Sequence, residues 1–190
     1  MIRLFAAIFV PDEVGEGLAR RQQGLPGARW RPLRSLHVTL RFFGEVSEPR
    51  ADDIDAELGR IVGAPMTLEL EGVGAFEEGR APHAVWAGLA ESASLRRLAS
   101  RCEAAARRAG LPAERRAWRP HVTLAYLRGA EPWRVAAWVQ GHNLLKSPGF
   151  RVDGFGLYSS ATGQGGAHYR LERSYPMRLP SPVRPGRSDP

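Results

Sequence analysis

The chain has 190 residues, a formal net charge of +7 and one cysteine. That length fits one domain or two small lobes sharing a core, and no run of about 18 apolar residues marks a membrane-spanning helix. Cys102 alone excludes an internal disulfide or a multi-cysteine metal site, which fits a reducing, cytoplasmic compartment.

Residues Arg3 to Val10 read as a buried first strand rather than a secretory leader, because the apolar stretch is short and Pro11-Asp12-Glu13 comes directly after it. Those acidic residues open a helix at the positive end of its dipole, with Val14, Leu18 and Leu25 inward. Gly24 to Arg34 reads as a loop. Leu36 to Phe43 reads as a strand stopped by Gly44. After Ser47 as N-cap, Ala51, Ile54, Leu58 and Ile61 form a helical stripe. Met66 to Glu71 alternates as a half-wet strand, Gly72, Gly74 and Gly79 punctuate the next segment, and Ala84 to Ala87 returns. Ser94 is placed as the cap of a third helix lined by Leu95, Leu98, Cys102, Ala105 and Ala109. Its many arginines read as a solvated surface. Trp118 to Leu127 is a second motif strand, Pro132 to Val139 a helix, and Phe150 to Tyr158 and His168 to Tyr175 two strands joined by a glycine-rich connector. From Leu179 the Pro-rich sequence cannot bury a core. The division is therefore one bilobal domain, 1–178, and a disordered basic tail, 179–190. Hairpins mixed with helices predict an α+β fold with antiparallel sheets.

One tetrapeptide occurs twice: His37-Val38-Thr39-Leu40 and His121-Val122-Thr123-Leu124. In a strand, alternate side chains share a face, so each copy sends Val and Leu to the core and His and Thr to a cleft. Two facing imidazoles suit acid–base chemistry near neutral pH. The threonine hydroxyls suit donation to phosphoryl oxygens. A metal site usually adds a carboxylate or third histidine on the same face, and neither motif has one nearby; no metal or cofactor is expected. His83, His142 and His168 stand alone and read as surface or packing residues. Excess positive charge favours polyanionic partners.

Leu36 to Val46 and Arg119 to Ala125 resemble the two signature segments of the two-histidine (2H) phosphoesterase superfamily, and within it the LigT-like RNA 2′,3′-cyclic phosphodiesterases, historically called 2′-5′ RNA ligases. Arg3 to Ile8, Phe155 to Ser160, Gly165 and Tyr169 are similar to further segments of that family. The resemblance implies a bilobal α+β fold, two antiparallel sheets flanked by helices around a central cleft. It implies metal-independent hydrolysis of RNA 2′,3′-cyclic phosphate ends to 2′-phosphates, with reversible ligation in some members. His37 and His121 would be catalytic, His121 activating water and His37 protonating the 3′ oxygen. Thr39 and Thr123 would bind phosphate. RNA is the expected partner, no membrane is, and the chain is expected to be a monomer. Many relatives carry Arg where this chain has Tyr126, with Arg128 two positions on. Strand parity puts Tyr126 on the Val122 and Leu124 face. The same parity puts Arg41 beside His37 and Thr39, within reach of phosphate. Trp118, Arg119 and Tyr158 are candidates for stacking on a base. The competing readings are a 2H enzyme for a small cyclic phosphate or 2′-5′ oligonucleotide, and a non-catalytic RNA-end binder.

Overall fold

The computed structural model describes residues 1–79, 81–163 and 166–178. Part of the glycine-rich connector and all of the basic tail lie outside the described residues.

Among the described residues, four α-helices and ten strands run in the order β1 (Ile2–Phe9), α1 (Asp12–Ala19), β2 (Ala28–Trp30), β3 (His37–Val46), α2 (Glu48–Gly59), β4 (Met66–Leu68), β5 (Leu70–Glu78), β6 (Ala81–Leu89), α3 (Ala93–Arg108), β7 (His121–Leu127), α4 (Pro132–His142), β8 (Phe150–Val152), β9 (Gly154–Gly163) and β10 (Gly166–Pro176). Strands β10-β9-β1-β3-β7-β6-β5, with β2 beside β7, form one eight-stranded antiparallel sheet made of two halves, β10-β9-β1-β3 and β7-β6-β5. The two meet at one residue pair, Val38 opposite Val122. A separate two-stranded antiparallel pair joins β4 to β8, which are distant in sequence. The α+β architecture expected from the sequence is thus the observed one.

The core forms where the apolar faces of both halves meet the helices. Val38, Leu40, Val122 and Leu124 are almost completely buried, each contributing roughly 1.5–3 kcal/mol of apolar transfer. The helix α1 lies close enough to the first motif that a Cβ on Gly15 would stand 2.5 Å from Leu33 Cδ1. The expected inward stripes of α1, α2 and α3 are all buried or partly so.

Several boundaries differ from the sequence reading. The loop 24–34 contains β2, because its chain runs beside β7 and satisfies that strand's free edge. The half-wet strand at 66–71 breaks at Glu69, where β4 leaves for β8 and β5 enters the main sheet. Gly72 and Gly74 lie inside β5; Gly74 sits opposite Trp86, whose ring occupies the space a Cβ would take. The strand expected at 150–158 is likewise split into β8 and β9. The cap of α3 is Ser92, whose hydroxyl accepts from the Leu95 amide at 3.2 Å, and Ser94 lies within the first turn. No helix among the described residues is long and apolar enough to cross a membrane.

Candidate active site

The two motifs open their strands, His37 at the start of β3 and His121 at the start of β7. The seam pair Val38–Val122 lies between them, so the two imidazoles stand one residue to either side of the junction. Burial alternates as the pattern requires: each His and Thr is partly exposed, each Val and Leu buried.

Both imidazoles are held the same way. Nδ1 of His37 lies 2.8 Å from the Ser35 carbonyl, and Nδ1 of His121 lies 2.8 Å from the Arg119 carbonyl. A carbonyl only accepts, so Nδ1 carries the proton in each and Nε2 is left as the free ring nitrogen. Burial pushes the His37 pKa down to about 4; the Ser35 carbonyl opposes this, while the charges of Arg31 and His121 add to it. Burial also lowers His121, against the pull of the Arg119 carbonyl. Both rings are neutral at pH 7.

The surroundings of the two differ. His37 stacks on Phe9 at 5.1 Å and is bordered by Phe5 and edge-on by Tyr169. Tyr158 packs on Phe9 at 4.4 Å, one ring removed from His37. His121 meets Phe76 edge-on at 4.8 Å and Trp86 at 6.4 Å. A cleft of about 450 Å³ lies at the His121 end, lined by Thr39, Thr123, Trp118, Arg119, Arg116 and His83 among others. A smaller one of about 270 Å³ lies at the His37 end, with Thr39, Phe42 and Tyr126 common to both.

Two register shifts correct the parity argument. In β3, Thr39 pairs with Ala7 and Arg41 with Ala6, so Leu40 is skipped and the alternation inverts. Arg41 still lines the larger cleft, but its guanidinium is turned to carboxylates rather than left free beside His37. Its Nε lies 2.5 Å from Glu103, its Nη1 3.6 Å from Glu114, and its Nη2 donates to the Pro112 carbonyl. Phe42 lines the cleft as well. In β7, Thr123 pairs with Trp86 and Ala125 with Val85, leaving Leu124 at a bulge. Leu124 and Ala125 are both buried, and Tyr126 swings to the cleft, 49% exposed. Tyr126 is thus not on the Val122 and Leu124 face. β-Bulges commonly re-aim side chains beside functional sites in this way.

The remaining sequence candidates divide. Trp118 lines the cleft, and its indole N–H donates to the Thr39 carbonyl at 3.0 Å, tying the approach to β7 onto β3. Arg119 lines the same cleft. Arg128 is exposed past the end of β7, bonded through its amide to Gly27, and does not line either cleft. Two residues were missed. His83 stacks against Phe76 on the cleft wall. Arg31, in the stretch read as a loop, reaches Tyr126 and Tyr169. A strand signal at 28–30 is too short to have revealed it. No group of three or more His, Cys, Asp or Glu suited to holding a metal is present among the described residues.

A bilobal α+β scaffold presenting two matched His-x-Thr strands about one cleft defines a two-histidine phosphoesterase. The profile of the 2′-5′ RNA ligase superfamily matches residues 10–164, and the chain belongs to that family. It is similar to the RNA 2′,3′-cyclic phosphodiesterase of Thermus thermophilus, 32% identical over 189 residues, covering 93% of this chain and 91% of that one. The RNA 2′,3′-cyclic phosphodiesterase of Aeropyrum pernix is 41% identical over 97 residues, 50% of this chain; the matched stretch spans 55% of that relative's length. The crystal structure of Escherichia coli LigT complexed with 3′-AMP superposes with a TM-score of 0.77 at 27% identity, covering 94% of this chain and 99% of that one.

Proposed function

We propose that the protein hydrolyses RNA 2′,3′-cyclic phosphate ends to 2′-phosphates by paired-histidine acid–base catalysis. The observation that carries this reading is the matched pair of imidazoles with free Nε2 atoms flanking one seam, each beside a cleft-facing threonine. His121 takes a proton from water as it attacks phosphorus. The bond from phosphorus to O3′ breaks, and His37 gives that oxygen its proton. The family resemblance supplies this assignment. Burial and the neighbouring positive charge of Arg31 oppose the protonation of His37 that this role requires. The anionic substrate supplies the charge that lets His37 hold a proton beforehand. Thr39 and Thr123 donate to the nonbridging oxygens. With a 5′-hydroxyl in place of water as the attacking group, the same forward steps form a 2′-5′ linkage, and their reverse cleaves it.

The test is incubation with a short RNA ending in a 2′,3′-cyclic phosphate, then identification of the hydroxyl that keeps the phosphate. The expected product is the 2′-phosphate alone. A 3′-phosphate product would overturn the mechanism. Faster turnover of a cyclic mononucleotide or a 2′-5′ oligonucleotide would move the substrate to that class, and saturable binding with no product would make the chain an RNA-end binder.

A further inference from the structure

Arg31 is 9% exposed and has no carboxylate within ion-pair distance among the described residues. Arg41, the other well-buried guanidinium near the cleft, is answered by Glu103 and Glu114. A buried cation without a counter-ion is costly and calls for a reason.

The surrounding structure fixes Arg31 in place from several sides. Its amide donates to the Leu124 carbonyl at the β7 bulge, 2.8 Å, and its carbonyl accepts from Gln22 Nε2 at 2.9 Å. Its Nη2 donates to the Tyr169 hydroxyl at 3.1 Å. The guanidinium carbon lies 5.7 Å from the Tyr126 ring centroid and 5.6 Å from that of Tyr169. Both tyrosines are walls of the cleft at its His37 end. Arg3 also borders that end but is exposed, so solvent screens it.

We propose that Arg31 and Tyr169 form an anion-binding unit at the His37 end of the cleft. Tyr169 accepts from Arg31 and thereby has its own O–H free to donate to a nonbridging phosphoryl oxygen, while Arg31 supplies the balancing positive charge. Tyr169 binds; Arg31 positions it and sets the field. Burial, which raises the Tyr169 pKa, keeps that hydroxyl protonated and able to donate. The guanidinium of Arg31, just past the end of β2, also lies over the Tyr126 ring on the opposite cleft wall. The unit rests on reading the cleft as a phosphoester site.

Inorganic phosphate is the probe, titrated calorimetrically into wild type, Arg31→Gln, Arg31→Lys, Tyr169→Phe and the Arg31→Gln/Tyr169→Phe double variant. Arg31→Gln is expected to raise the phosphate Kd about tenfold to a hundredfold, as loss of a charge-assisted contact should. Its KM on cyclic-phosphate RNA rises by more than its kcat falls. Arg31→Lys recovers part of the affinity. The double variant binds no more weakly than Arg31→Gln alone, because one residue acts through the other. Wild-type phosphate affinity in a folded Arg31→Gln overturns the proposal. Should Arg31→Gln not fold, unchanged phosphate affinity in Tyr169→Phe overturns it instead. If wild type binds phosphate in an Arg31-dependent way but turns over no cyclic phosphate, the anion unit stands and the phosphodiesterase reading falls.

Discussion

The two lobes carry the same four residues and surround them differently. At the first, His37 is enclosed by Phe5, Phe9 and Tyr169, with a buried arginine close enough to weigh on its charge. At the second, His121 has Phe76 and Trp86 on the sides and opens onto the larger cleft with Arg116 and Arg119. Identical rings in unlike settings are how the proposed acid and base would be told apart. The repeat supplies matched geometry. The non-repeated neighbours supply the difference.

The largest test removes one side of the comparison. His37→Ala and His121→Ala are each expected to cut kcat/KM on cyclic-phosphate RNA at least about a hundredfold, and near-wild-type turnover in either would end the paired mechanism. Thr39→Val and Thr123→Val are expected to cost about tenfold each, one hydrogen bond to a charged oxygen apiece. A cost confined to one of them would show that a single lobe holds the phosphate.

The pH dependence sharpens the same contrast. Catalysis needs one histidine charged and the other neutral, and both pKa values are lowered. The kcat/KM optimum is therefore expected below the ordinary histidine value of about 6.5; a limb well above it would mean the rings are solvated. Stability has its own sign. The unfolded chain takes up a proton at His37 near pH 6.5, whereas the folded chain resists until about 4. The stabilisation by neutral His37 is complete above pH 6.5 and lost as pH falls through that window, by up to about 3 kcal/mol. The denaturant midpoint of wild type should fall relative to that of His37→Gln as pH drops from 6.5 to 4. The smallest expected effect is that of excess EDTA: turnover should be unchanged, and a loss restored by added metal would reopen the choice of mechanism.

Much of this was legible because hydrophobic period and burial agree. The stripes of α2 and α3 and the Val and Leu of each motif announce their faces directly. Parity failed at Arg41 and Tyr126 for one physical reason. A bulge inserts a residue without changing the hydrophobic pattern, and Leu40 and Leu124 look like ordinary core positions in sequence. Arg31 was invisible for another. The strand it adjoins, β2, has three residues and exists through its pairing with β7, a non-local cause. His83 stood alone in sequence and gained its place only from Phe76 on the facing strand.

The junction at Val38 and Val122 has a mechanical meaning. One ladder pair joins the two halves of the sheet, and the two imidazoles sit one residue to either side of it. Trp118, bonded across to Thr39, braces the same point. The spacing of the two imidazoles is therefore set where the chain is joined most directly, at the Val38–Val122 pair and the Trp118–Thr39 bond.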